Sequence, residues 1–240
     1  MAGRLFGVGV GPGDPELMTL KAARVLAAAP VVAWFAKAGR AGHARTIAEG
    51  HIAPAAEQMP LTYPFTTERE VDAEYRRGMA AFYDASAAAI ANRLAAGRDV
   101  AVLCEGDPFL YGSFMYLHDR LAGRFVTEVV AGVTAMSGCW SQAGLAMTRG
   151  DDSLAVLSAT LPEERLCERL RGAEAVVVMK LGRHLAKLRR ALDSAGLLQR
   201  AVYVEKGAMA GERILPLAEK RDDEAPYFSL VLVPSARREV

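Results

Sequence analysis

Two stretches of the chain run from an apolar strand-like segment into the same tripeptide: Gly13-Asp14-Pro15 and Gly106-Asp107-Pro108. Glu105 immediately precedes the second. A carboxylate at such a place accepts hydrogen bonds from an ammonium group or from ribose hydroxyls, and a carboxyl such as that of Glu105 can also take up a proton. Capping explains part of the pattern: Asp14 suits a helix N-cap, and Pro15 suits the first turn, where no amide hydrogen is needed. It explains the second site less well. Glu105 and Asp107 are two acids at one strand end, and they repel unless something uses them.

The first tripeptide belongs to LFGVGVGPGDPELMTLKA, where glycine recurs at Gly7, Gly9, Gly11 and Gly13. A dinucleotide fingerprint requires G-x-G-x-x-G between strand and helix. Counting from Gly7, the third glycine position is Pro12; counting from Gly9, it is Asp14. Both registers fail, no carboxylate for a ribose closes VVAWFAK, and no GK[ST] follows for a phosphate loop. The glycines still allow a ligand to approach the backbone closely. A nicotinamide-dependent oxidoreductase therefore has only the general strand–helix alternation in its favour.

Beyond VVAWF lie Lys37, Arg40, His43 and Arg45, which read either as a site for an anionic ligand or as a solvated basic loop. Tyr111 reads either as a ligand-facing residue or as packing. Cys104, Cys139 and Cys167 are far apart, with no CxxC or His/Cys cluster, so neither a zinc site nor a disulfide framework is expected, and no metal site is assigned.

The elements that must position these residues alternate. LFGVGV, VVAWF, DVAVLC and FVTEVV have strand character, and LMTLKAARVLAA and AEYRRGMAAFYDASAAAIANRLAAG between them have helical spacing. This predicts βαβ units and a mainly parallel sheet, whose ligands bind outside the carboxyl ends of the strands. MTRGDDS is polar and turn-rich, which places a division at 148/149 and gives an N-terminal α/β domain of residues 1–148 and a C-terminal one of 149–240. In the latter, LAVLSA, EAVVVMK, AVYVEK and YFSLVLV read as strands, with helices near 162–171 and 184–195 and little helix after GERILPL, so its sheet is expected to be mixed.

With 240 residues and 52% hydrophobic content, the chain is long and apolar enough for two small α/β domains or one large one. A formal net charge of +1 and the lack of a long single-sign run give no case for nucleic acid or a membrane surface as partner. No apolar stretch reaches the length of a membrane span, and MAGRLFGVGVG lacks a secretory signal's apolar region, so a cytoplasmic protein is expected.

Taken together, these motifs resemble those of the tetrapyrrole methyltransferases of cobalamin and siroheme synthesis. GVGVGPGDPELMTLKA is similar to their GxGPGDPxLLTxKA signature, and EGDPFLYG to their GDPxxYG motif. VVAGVTA is similar to their PGVTA segment, with Ala131 where proline is usual, and VVVMK and VYVEKG resemble strand ends of their second domain. The resemblance implies two α/β domains with S-adenosylmethionine in the cleft between them, and a homodimer. It implies cofactor contacts at Pro12, Glu105, Gly106, Asp107, Leu110, Thr134, Ala135, Met179 and Gly207, with Tyr203 as a further candidate. Met179 also reads as core, and Thr134 as a helix cap.

Uroporphyrinogen III methyltransferases typically carry Asp-Arg at the end of the second strand, where this sequence has Phe35 and Ala36. MPLTYPFTTEREVDAEYRR, PYFSLVLV and Lys37 are more similar to the precorrin-2 C-20 methyltransferases. The resemblance thus implies methylation of precorrin-2 at C-20 to give precorrin-3A. The alternatives are cobalt-factor II as substrate, another corrin-pathway C-methylation, and a non-catalytic adenosylmethionine-binding module. It further implies a polycarboxylate tetrapyrrole bound by Lys37, Arg40, Arg45 and Tyr111, and leaves Glu105 as the candidate acceptor of the C-20 proton. Sulfonium methyl transfer expels a neutral thioether, so the protein's main task is to hold carbon and methyl in line in a dry site.

Overall fold

The computed structural model describes residues 1–65 and 72–236, in two compact units, Met1–Thr134 and Ala135–Val240. Residues 66–71 of the segment MPLTYPFTTEREVDAEYRR lie outside the described residues. The division falls at 134/135, whereas the turn-rich MTRGDDS points to 148/149. The physical reason is packing: Cys139 and Met147, with Met136 and Trp140 against them, join Val177, Val204 and Leu232 in one apolar cluster of the second unit. The Ser235 N–H also donates to the Met147 carbonyl at 2.9 Å.

The first unit is built on a five-stranded sheet, with strands β1 (Leu5–Gly9), β2 (Val31–Ala36), β3 (Glu57–Thr62), β4 (Val100–Cys104) and β5 (Thr127–Val130). All neighbours are parallel, in the order β3-β2-β4-β1-β5. Helices α1 (Leu20–Ala28) and α2 (His43–Ile47) pack on one face with Val8, Val32 and Leu103; α3 (Ala73–Ala95) and α4 (Phe114–Leu121) pack on the other with Leu5, Val31 and Val102. Leftward crossovers through α1 and α2 and rightward ones through α3 and α4 require opposite faces if every crossover is right-handed, as is observed. α3 forms because Tyr83, Ala87, Ile90, Ala91 and Leu94 fall on one apolar stripe, and because Asp72 caps it by accepting the Tyr75 N–H at 2.6 Å.

The strand β3 is a finding that the apolar runs do not reveal. Its sequence, EQMPLT, contains Pro60, which argues against a strand. Among the described residues β3 pairs only with β2, so an edge position accommodates the missing N–H, while Met59 and Leu61 alternate inward.

The second unit contains helix α5 (Ala135–Gln142) and a mixed sheet of β6 (Leu154–Ser158), β7 (Ala175–Met179), β8 (Val202–Glu205), β9 (Arg213–Pro216) and β10 (Ser229–Val233). The order is β6-β7-β10-β8-β9, with only β6 and β7 parallel as neighbours. Because β10 runs against both β7 and β8, the carboxyl ends of β6, β7 and β8 share one edge. Helices α6 (Glu163–Leu170) and α7 (Leu185–Ser194) bury Leu166, Leu170, Leu185, Leu188 and Leu192 against one face.

At the carboxyl edge of the first sheet, three backbone segments meet with no room for side chains. A Cβ on Gly9 would stand 2.6 Å from the Gly106 carbonyl oxygen and 2.7 Å from the Gly132 Cα; one on Gly132 would stand 2.9 Å from the Gly9 Cα and collide with the Gly106 carbonyl. All of these obstacles are backbone, so none can rotate away. Gly132→Ala is expected to destabilise the protein by about 1–3 kcal/mol, the cost of overpacking a filled site, measured as a lower urea midpoint.

Candidate active site

The junction of Gly9, Gly106 and Gly132 organises the ends of β1, β4 and β5. The Val10 N–H donates to the Cys104 carbonyl at 2.9 Å, and the Gly106 N–H donates to the Gly11 carbonyl at 2.8 Å, so the chains stay paired past the sheet. Gly106 has φ 64°, which a side chain would strain. Asp107 then ties the junction together. Its Oδ1 accepts the Phe109 N–H at 2.9 Å, and its Oδ2 accepts the Gly132 N–H at 3.1 Å.

Other residues of the two Gly-Asp-Pro turns fall into place around it. Asp14 Oδ1 accepts the Glu16 N–H at 2.9 Å and caps a short helical turn, Pro15–Leu17, as its position in the sequence predicts. Pro12 is buried and Leu110 half-buried. Tyr111 is 44% exposed and has φ 55°, a left-handed conformation rare for a bulky residue. Strain of this kind concentrates where a side chain must be aimed.

Glu105 closes β4 on the side of α2. Its Oε1 accepts the Ala44 N–H at 3.2 Å. The residue is exposed to solvent, although neighbouring protein still partly buries its carboxyl. That burial pushes its carboxyl above the usual carboxylate range, and the Ala44 hydrogen bond opposes the shift. Lys37 and Arg40 follow β2 and are exposed. His43 begins α2, and burial, followed by the Lys37 charge, lowers its pKa, which favours the neutral ring.

Arg45 has partners within the first unit. Its Nε donates to Gln58 Oε1 at 2.9 Å, near the start of β3, and its Cζ lies 5.8 Å from the Trp34 ring centroid. The side chain is directed back along the sheet, away from the carboxyl edge, because the aromatic face and the Gln58 acceptor lie there.

In the second unit, Met179 is half-buried at the end of β7, followed by Lys180 at φ 59°. At the end of β8 the turn runs through Lys206 (φ 51°), the buried Gly207 and Ala208 (φ 59°). A Cβ on Gly207 would strike Cys139 Sγ. Burial, chiefly, and the Glu212 charge push the Cys139 thiol up to about 12, so it is an inert packing group. Glu212 Oε2 accepts the Ala208 N–H at 2.7 Å and holds the strained turn. Tyr203 lies deeper than these residues. It is fully buried among Leu217, Val231 and Val233, so its ring presents no surface to a ligand. It acts inward, donating its hydroxyl to Glu205 Oε2 at 2.8 Å.

Thr134 and Ala135 are half-buried at the division of the units. Sequence reasoning missed Gly132 and Glu212. Gly132 stands in the quoted VVAGVTA and its glycine is a usable signal; Glu212 has none, since its role depends on a turn conformation. Among the described residues, no group of three or more His, Cys, Asp and Glu side chains is placed to hold a metal, and no helix is long and apolar enough to cross a membrane.

Glu105 yields a pH prediction. A carboxyl whose folded pKa is raised contributes stability at pH values below its unfolded pKa, and that contribution is lost as pH rises through the folded one. Glu105→Gln keeps an acceptor for the Ala44 N–H and cannot ionise. The variant is expected to melt above the wild type at pH 7, with the gap closing toward pH 4. A gap that widens on acidification would contradict the raised pKa.

The chain matches the family of tetrapyrrole (corrin/porphyrin) methylases over residues 4–220. It is 58% identical to a precorrin-2 C(20)-methyltransferase of Sinorhizobium sp over 97% of this chain and 95% of that protein. It is 31% identical to a cobalt-precorrin-2 C(20)-methyltransferase of Salmonella typhimurium over 97% of both chains. Its fold is similar, at a TM-score of 0.64 and 26% identity, to a uroporphyrin-III C-methyltransferase of Thermus thermophilus complexed with S-adenosylhomocysteine, covering 96% of this chain and 97% of that one. With its two α/β units and its glycine-lined strand ends, this chain belongs to the tetrapyrrole methylase family.

Proposed function

We propose that the protein is an S-adenosylmethionine-dependent methyltransferase that methylates precorrin-2 at C-20, giving precorrin-3A in cobalamin synthesis. The observation that carries this reading is the 58% identity, over nearly the whole length of both chains, to a precorrin-2 C(20)-methyltransferase. The 31% identity to a cobalt-precorrin-2 enzyme makes cobalt-factor II the second substrate to test.

The residues suit the cofactor. The first sheet ends in bare backbone at Gly9, Gly106 and Gly132, which excludes side chains from the ligand edge. Asp107 offers acceptor capacity beyond the two amides it binds, since each carboxylate oxygen has a second lone pair. We assign cofactor contacts to Pro12, Glu105, Gly106, Asp107, Leu110, Thr134 and Ala135, and to Met179 and Gly207 from the second sheet's carboxyl edge. When bound, S-adenosylmethionine supplies an electrophilic sulfonium methyl. Lys37, Arg40 and Tyr111 orient the tetrapyrrole's carboxylates and rim. Glu105 accepts the C-20 proton on Oε2, the oxygen to which Ala44 does not donate. Its raised pKa brings it closer to the operating pH, where a general base is most effective. We further infer, from the family resemblance, a cytoplasmic homodimer.

Anaerobic incubation of the protein with S-adenosylmethionine and either precorrin-2 or cobalt-factor II tests this assignment. One methyl group should be added, at C-20 by NMR, faster on the metal-free substrate. Methylation at another carbon, or none, overturns it. Replacing Lys37 and Arg40 together by Ala should raise the KM for precorrin-2 by about 3–10-fold at low salt, with the difference shrinking as ionic strength rises. S-adenosylhomocysteine affinity in the same variant should not change.

A further inference from the structure

An aromatic group stands where β2 and β3 end, on the face covered by α3 and α4. The Tyr63 N–H extends the ladder, donating to the Ala36 carbonyl at 3.0 Å. This brings the Tyr63 ring onto Phe35, with centroids 5.5 Å apart and planes within 15°. Phe82, from α3, approaches Tyr63 to 5.1 Å and Phe35 to 6.3 Å. Below them the core is already closed by Met59, Leu61 and Tyr83, each less than a tenth exposed. Phe35, Tyr63 and Phe82 remain half-buried above it.

The group is held by a hydroxyl cluster. Tyr63 Oη lies 2.7 Å from Ser113 Oγ, and Tyr83 donates its hydroxyl to the same Oγ at 3.1 Å. Ser113 stands at the N-cap of α4, the place where a serine ordinarily caps a helix. Its backbone is already helical, and its side chain caps nothing. The hydroxyl is committed to the two tyrosines instead, so the orientation of Tyr63 is fixed from outside its own strand.

We propose that Phe35 and Tyr63 form the wall on which the substrate's macrocycle rests, and that Ser113 is the positioning residue that holds Tyr63 in it. This rests on the proposed function. A tetrapyrrole has broad apolar faces and a rim of carboxylates. The wall supplies stacked, pre-oriented rings, and Lys37, two residues beyond Phe35, supplies positive charge at the same strand end. Glu105 closes the adjacent strand β4 on the opposite face, so the wall and the proton acceptor flank one stretch of the sheet edge from its two sides.

Precorrin-2, cobalt-factor II and uroporphyrinogen III are each titrated into the protein, and turnover is measured on whichever binds. Ser113→Ala should raise the Kd and KM for that tetrapyrrole by about 3–10-fold, the loss of roughly one hydrogen bond's worth of positioning. It should leave S-adenosylhomocysteine affinity unchanged, and Ser113→Thr should restore binding. Tyr63→Phe should cost as much, and the double variant no more than either alone, because the two hydroxyls act as one unit. Phe35→Leu, which keeps an apolar core, should weaken tetrapyrrole binding further. Wild-type tetrapyrrole affinity in folded variants, or an equal loss of S-adenosylhomocysteine affinity, overturns the wall while leaving the proposed function intact. A wild-type protein that binds none of the three tetrapyrroles overturns both.

Discussion

The carboxylate of Asp107, which joins its own turn to the segment after β5, is the tie on which the ligand edge of the first unit depends. It receives one amide from its own turn and one from Gly132, 25 residues away. The contact is possible only because Gly9, Gly106 and Gly132 lack side chains, so that three chains converge at backbone contact distance. Hydrogen bonds to a charged acceptor are roughly twice as strong as neutral ones. A turn residue at position 107 without a side-chain acceptor would remove the tie between this turn and the end of β5. The acid that sequence reasoning assigns to a ligand is therefore also structural, and a substitution there would report on both roles at once.

Around that tie the side chains divide by sheet face. Along β2 and β4, residues alternate between the α1/α2 face and the α3/α4 face. At the carboxyl edge the alternation sends Glu105 toward Ala44 of α2, and Phe35 and Tyr63 toward α3. Acid chemistry and apolar recognition thus lie on opposite faces of one edge, a consequence of the period-2 geometry of strands. The second unit uses a different device. Three non-glycine residues in left-handed conformation, Lys180, Lys206 and Ala208, follow its strand ends, and Glu212 fixes part of that backbone from outside.

Much of this was legible in the sequence where local chemistry governs. The strands that are continuous apolar runs, the Asp14 cap and the glycine motifs follow from periodicity and turn preference. β3 did not, because Pro60 breaks strand propensity and only its edge position permits it. The division at 134/135 was hidden because α5 is held by the packing of Cys139 and Met147, which sequence cannot display. The partners of Arg45 and Tyr203 were not legible, for a common reason. Their types suit a ligand site, but their partners, Gln58 and Glu205, draw the side chains elsewhere. Ser113 passed unremarked because its role depends on two tyrosines that are 50 and 30 residues distant.

The place of β1 in the sheet has a consequence for the growing chain. β1 precedes the other strands of its sheet in the chain, yet its neighbours are β4 and β5. During synthesis it must wait for residues 100–104, and then 127–130, before either edge is paired. An unpaired apolar strand of this kind invites association with other chains. Gly7 and Gly9 make it a poor strand former on its own. Phe114, whose Cζ would lie 2.6 Å from a Cβ on Gly7, fills the missing volume only once α4 has formed. Gly9, which clears the ligand edge, and Gly7, which makes room for Phe114, therefore also keep the nascent strand weakly adhesive until its late-made neighbours arrive.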